Sequence, residues 1–114
     1  MPHDDVATLR DIVGAFRLIG RFVADVTPEN FLSNDLCKSA VIHQILVIGE
    51  AVKRLSPDLR AAHPGIPWAD MAGLRDKLIH AYDMIDLDIV VEAAYQELPA
   101  LLAQVEPLIP REEP

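Results

Sequence analysis

Arg75 and His80 stand five residues apart in the segment Arg75-Asp76-Lys77-Leu78-Ile79-His80-Ala81-Tyr82-Asp83. Their side chains suit phosphodiester chemistry. Arginine is a permanent cation with a rigid fork that matches phosphate. Histidine gives and takes a proton near neutral pH. The pair is a minimal kit for cleaving RNA without a metal. The histidine would act as general base or acid on the 2′-hydroxyl or the leaving oxygen, and the arginine would hold the phosphate and its developing charge. The spacing alone is weak evidence, because seven arginines and four histidines can supply such a match by chance. A helix also sets positions i and i+5 about 140° apart, so the two share no stripe. Either the long arginine reaches around, or the site draws residues from two chains. Tyr82 lies on nearly the azimuth of Arg75.

Plainer readings stand beside these. Arg75, Asp76 and Lys77 could form a solvated charge cluster, His80 could be a packed, hydrogen-bonded histidine, and Tyr82 a tyrosine at the edge of the core. Glu50 lies in a very apolar stretch and needs a partner, most simply Arg75, Lys77 or an arginine across an interface, unless it sits on a solvated edge. His43, in the same stretch, reads as a core or interface histidine. Trp68 reads as packing for the start of its helix.

The elements that must position these groups read as helices. Leu9, Ile12, Phe16, Ile19 and Val23 recur at three and four over residues 4–25, with Arg10, Arg17 and Arg21 off that stripe. Thr27-Pro28-Glu29 reads as a cap, a first-turn proline and an acid, followed by a short turn over 30–33. A second helix covers 34–55. Val41, Ile45, Ile48, Val52 and Leu55 form one stripe, with Ile42, Leu46 and Gly49, then Ala40, Val47 and Ala51, beside it. A helix apolar nearly all round is buried on more than one side, and a second copy of the chain is the natural cover. Ser56-Pro57-Asp58 opens a short helix through 62. His63-Pro64-Gly65-Ile66-Pro67 breaks the chain as a loop. The third main helix covers 67–82 and carries the Arg75–His80 element. The last starts after Asp86, with Leu87, Val91, Ala94, Leu98, Leu101, Val105 and Leu108 as its seam. Pro99 must kink or interrupt it. The expected fold is an all-α, up-and-down bundle of four main helices and one short helix, dimeric, in a single domain over 1–110 with a frayed tail at 111–114.

Composition agrees and removes several classes of function. The chain has 114 residues, about half of them apolar, enough for one modest core. Cys37 is the only cysteine, so there is neither an internal disulfide nor a thiol cluster for zinc, and it reads as a small apolar side chain. No two of His3, His43, His63 and His80 pair at i,i+3 or i,i+4, so no helical metal motif is visible and no cofactor is expected. The acidic Met1-Pro2-His3-Asp4-Asp5 start lacks the apolar core of a signal peptide, and no apolar run is long enough to span a bilayer. The expectation is a cytoplasmic protein without a membrane partner. The net charge is −8, which argues against nucleic acid as a partner. Its distribution softens that argument. Residues 83–114 hold eight acids and one base, whereas residues 53–77 hold five bases (Lys53, Arg54, Arg60, Arg75, Lys77) against three acids. A local basic surface on an acidic protein would have to recognise RNA by close contacts, because long-range steering is weak.

Four segments in order carry a likeness that covers nearly the whole chain. They are Ile48-Gly49-Glu50-Ala51-Val52-Lys53-Arg54-Leu55-Ser56, Pro64-Gly65-Ile66-Pro67-Trp68, Gly73-Leu74-Arg75-Asp76-Lys77-Leu78-Ile79-His80-Ala81-Tyr82, and Val90-Val91 with Glu97-Leu98-Pro99. They resemble the HepT-like branch of the HEPN superfamily. The resemblance implies a two-fold dimer of all-α bundles and a metal-independent RNase whose Arg-x4-His motif lies in a cleft at the dimer interface. It implies that Arg75 and His80 are catalytic, that Asp76 is the polar residue after the arginine, and that Tyr82 is the tyrosine a partner can modify with AMP. That partner would be an MntA-type nucleotidyltransferase antitoxin, with this chain as the toxin. AMP on Tyr82 would put phosphate charge and bulk beside Arg75 and exclude substrate. The chain departs from the pattern after Tyr82, where Asp83-Met84-Ile85 replaces an aromatic-glycine-valine stretch and adds an acid. Two other functions compete with the toxin RNase. One is a non-catalytic module that serves as the partner or nucleotide-binding subunit of a nucleotidyltransferase, which the −8 charge and Asp83 favour. The other is a purely structural helical dimer, against which the clustering of functional side chains at 75–83 argues.

Overall fold

Side-chain caps start the first four helices. Asp4, Thr27, Asn34 and Ser56 accept hydrogen bonds from the backbone N–H three residues on, at 3.0, 3.2, 2.9 and 3.2 Å. Each satisfies a donor that the helix itself leaves unpaired. In this computed structural model the described residues are 4–80 and 87–110, apart from the side chains at 75, 77–80 and 87. The helices are α1 (Asp5–Val23), α2 (Pro28–Ser33), α3 (Asp35–Arg54), α4 (Pro57–Ala62), α5 (Trp68–His80), α6 (Leu87–Glu92) and α7 (Leu98–Val105). A π-helical turn, Ala93–Glu97, joins α6 to α7, and a 3₁₀ turn, Glu106–Leu108, ends the series. All regular structure among the described residues is helical, as expected. The expected tail at 111–114 lies outside them.

Residues 30–33 are helical and form the last four residues of α2, where a turn was expected. Thr27 and Pro28 set a true helix start, and Phe31, fully buried, anchors it. Asn34 then leaves helical geometry and caps α3 in turn.

Two contacts fix α1 and α3 as antiparallel neighbours. Near the start of α3, the Cys37 thiol donates to the Phe22 carbonyl at 3.5 Å. Just past its other end, the Ser56 backbone N–H donates to the Asp5 carboxylate at 3.0 Å, and the Ser56 hydroxyl donates to it as well. Between these ends the two stripes meet: Leu9, Ile12, Phe16 and Ile19 on α1, and Val41, Ile45, Ile48 and Val52 on α3, are all buried. Helix α5 packs on α3 through the buried Met71 and Leu74. A single chain therefore covers α3 more fully than its composition suggested. Ile42, Leu46 and Val47 are half-buried, and Leu36 stands 82% exposed. His43 is exposed on the single chain and is not a core histidine.

The last helix is interrupted, as Pro99 requires, and the interruption is a π turn. Proline cannot donate to the ladder, and its ring collides with the carbonyl four residues back, here that of Tyr95. The widened turn precedes it, with the Leu98 N–H bonded to the Ala93 carbonyl. The extra residue in this turn rotates the helix before it. Val90, 0% exposed, takes the core position expected of Val91, which is half-buried. Below the turn Leu98 and Val105 keep the expected seam. The Tyr95 hydroxyl on the π turn donates to the Val26 carbonyl at 2.5 Å, and its ring meets Phe31 edge-on at 6.0 Å. This ties the last helix to the α1–α2 corner.

Candidate active site

Helix α5 carries the backbone of both candidate catalytic residues, Arg75 and His80, in one uninterrupted run. At 1.5 Å per residue, they are separated by about 7.5 Å along its axis and about 140° around it. Trp68, 6% exposed, starts the helix, and its indole N–H donates to the His63 carbonyl at 3.0 Å. Trp68 therefore holds α5 against the preceding loop. Tyr82 and Asp83 lie outside the described residues.

Asp76 projects from α5 into solvent and meets the last turn of α3. The Lys53 ammonium lies 3.3 Å from its carboxylate, with the two side chains 41% and 53% exposed. Arg54, next along α3, is exposed, and Glu50, one turn earlier, is exposed as well. The C-terminal end of α3 is thus a basic turn laid against the helix that carries Arg75. Basic residues there complement the negative end of the helix dipole. The partners that the sequence pointed to for Glu50, Arg75 or Lys77, have side chains outside the described ones. Among the described side chains, Lys53–Asp76 is an ion pair that joins the two helices, for which the sequence offered only the clustering of bases over 53–77.

The described residues also line several cavities. Two grooves of about 640 and 660 Å³ run along α1 and the last helix, sharing Gly14 and Arg17. A crevice of about 410 Å³ separates Asp70, Met71 and Leu74 of α5 from Glu97, Ala100 and Leu101. Burial raises the pKa of both Cys37 and Tyr95, each remote in sequence from α5, and for Tyr95 the charges of Cys37 and Glu29 add to the effect. No described helix is long and apolar enough to cross a membrane.

A helical bundle with an Arg-x4-His element on one helix and a basic turn beside it has the makings of a HEPN-type ribonuclease. The sequence profile of the Ribonuclease HepT-like family matches residues 12–108, and the chain belongs to that family. It is 42% identical over 110 residues to a protein of Methanocaldococcus jannaschii named as an RNase, covering 96% of this chain and 95% of that protein. It is 39% identical over 100 residues to a Thermococcus cleftensis protein named as a ribonuclease HepT, covering 88% and 91%. A second M. jannaschii protein named as an RNase is 40% identical over 110 residues, covering 96% and 91%. No solved structure gave a significant match. The chain is a ribonuclease.

Proposed function

We propose that this ribonuclease is the toxin of a HEPN and nucleotidyltransferase toxin–antitoxin pair, and that it cleaves RNA internally, without a metal, at Arg75 and His80. The observation that carries the reading is the placement of both residues on α5, beside the basic last turn of α3. His80 takes the proton of a 2′-hydroxyl. The freed oxygen attacks the adjacent phosphorus, the bond to the 5′-oxygen breaks, and a proton is delivered to that leaving oxygen. Arg75 holds the phosphate oxygens as their charge grows. Asp76 and Glu50 support the site from α5 and α3. The active form is a homodimer, each cleft drawing on both copies.

The antitoxin in this proposal is an MntA-type nucleotidyltransferase acting in the cytoplasm. It transfers AMP from ATP to the Tyr82 oxygen, and pyrophosphate leaves. Tyr82 stands seven residues after Arg75, so on a continuing helix it would lie nearly above it. AMP there would block the arginine by bulk and by charge.

The test is growth arrest and RNA cleavage by the wild type against Arg75→Ala and His80→Ala. Arrest and cleavage by the wild type alone are expected. A wild type that is inert towards RNA without its partner would overturn the endonuclease reading. Mass spectrometry of protein co-expressed with the nucleotidyltransferase should find one AMP on Tyr82, and an unmodified Tyr82 would remove that part.

A further inference from the structure

We infer that Lys53 is a second phosphate-binding cation of the RNA site, and that Asp76 is the resting partner from which substrate displaces it. The inference rests on the assignment of Arg75 and His80 as the cleavage pair.

The geometry places the Lys53 ammonium on α5, 3.3 Å from the carboxylate of the residue that follows Arg75. Neighbouring Cα atoms are about 3.8 Å apart, so this cation is held by the side chain next along the helix from Arg75. Both members of the pair are about half exposed, at 41% and 53%. Such a pair is weakly held, because water screens the charges and the long lysine side chain loses freedom in making it. An incoming phosphate can therefore take the lysine without disturbing the packing of α3 on α5.

Charge gives a reason for such a residue. At −8 overall, the field of the molecule repels RNA at a distance. Affinity must come from cations placed locally along the strand, each releasing counterions as it meets a phosphate. Arg75 is assigned to the reacting phosphate. Lys53, carried on a different helix and flanked by the exposed Arg54, is placed to take a neighbouring one. Asp76 keeps the ammonium in position while the site is empty and competes with RNA for it.

This arrangement makes opposite predictions for the two partners. With a single-stranded RNA oligonucleotide as substrate, Lys53→Ala should raise KM roughly tenfold at about 0.1 M salt with kcat within about twofold, and should lower the slope of log affinity against log salt by about 0.7. Lys53→Arg should restore both. Asp76→Asn should lower KM about threefold, because it frees the lysine, and should lose that effect when combined with Lys53→Ala. Unchanged KM and salt slope in Lys53→Ala would overturn the inference. So would a loss of activity and thermal stability in both single variants, which would make the pair only a clasp between α3 and α5. Binding of the same oligonucleotide to His80→Ala, with and without Lys53→Ala, separates the two levels. If His80→Ala still cleaves, the cleavage-pair reading fails. If His80→Ala is inert and Lys53→Ala leaves its RNA affinity and salt slope unchanged, the role of Lys53 fails alone.

Discussion

Replacing Tyr95 by phenylalanine removes one oxygen from the joint between the π turn and the α1–α2 corner. The ring stays, and with it the edge contact to Phe31 at 6.0 Å. What is lost is the hydroxyl's hydrogen bond to the Val26 carbonyl. Both residues are half-buried, so water can reach the abandoned carbonyl, and the cost should be that of an ordinary hydrogen bond, about 1 kcal/mol, and not the larger penalty of a sealed orphan. In a domain of this size the midpoint of thermal unfolding should fall by about 4 °C. The pH dependence gives a second signature. Burial, the Cys37 charge and the Glu29 charge raise the Tyr95 pKa above its ordinary 10.0. The neutral phenol is therefore favoured in the folded state. Its contribution is complete below the unfolded value near 10 and is lost as pH climbs through the folded value. Wild type should lose stability to urea above about pH 10 relative to Tyr95→Phe. Cys37, raised from 9.0 by burial, contributes in the same direction from a lower pH, but equally in both proteins. Urea unfolding followed by circular dichroism at pH 7 and across pH 9–11.5 decides the matter. Equal midpoints at pH 7, or parallel alkaline declines, would show that the hydroxyl does not hold this joint.

Two further substitutions test the frame around it. Asp5→Ala removes the acceptor for the Ser56 backbone N–H at 3.0 Å and for its hydroxyl. A loss of about 2 kcal/mol is expected from the charged acceptor, read as a lower urea midpoint with an unchanged slope, and a midpoint within error of wild type would count against the contact. Gly14 and Gly20 sit inside α1, where a Cβ added at either meets nothing within 4 Å. Alanine at either should stabilise the chain by up to about 1 kcal/mol, and a fall in the melting temperature would mean that something outside the single chain packs there.

The sequence was most legible where one local rule decides the outcome. The caps at Thr27 and Ser56 could be read directly, because a short polar side chain before a first-turn proline has few other uses. The stripe Leu9, Ile12, Phe16, Ile19 was equally plain, since only one face of α1 is apolar. Legibility failed where two rules competed. Pro99 announced an interruption, but its form, a π turn with Val90 in the core and Val91 half-buried, depends on how the chain restores its apolar face around a missing donor. The apolar surround of α3 was visible, but composition could not apportion it between α1, α5 and solvent, so the core alternative for His43 stood beside the interface one until the fold placed it on the surface of the single chain. In the candidate site, Arg75 and His80 were marked by residue type. Lys53 was not, because its meaning comes from a contact with Asp76 across 23 residues of chain.

The geometry of α5 bears directly on the proposed two-chain cleft. The helix runs unbroken through His80. A phosphorus atom needs the base on one side and the cation on its oxygens within hydrogen-bond reach, and positions five apart on a regular helix are about 140° from one another around its axis, a separation that a long arginine or a second chain must bridge. A second α5 brought up across a two-fold axis bridges it. The arginine of each copy can then face the histidine of the other, and the contact repeats itself by symmetry. In the proposed dimer α3 would supply further contact, since the exposed Leu36 and His43 and the half-buried Ala40 and Val47 follow one another at four, three and four along a single stripe. A half-apolar stripe of this kind adds little to the stability of one chain. In the proposed dimer it would lie against its own copy, and assembly would become a condition of catalysis.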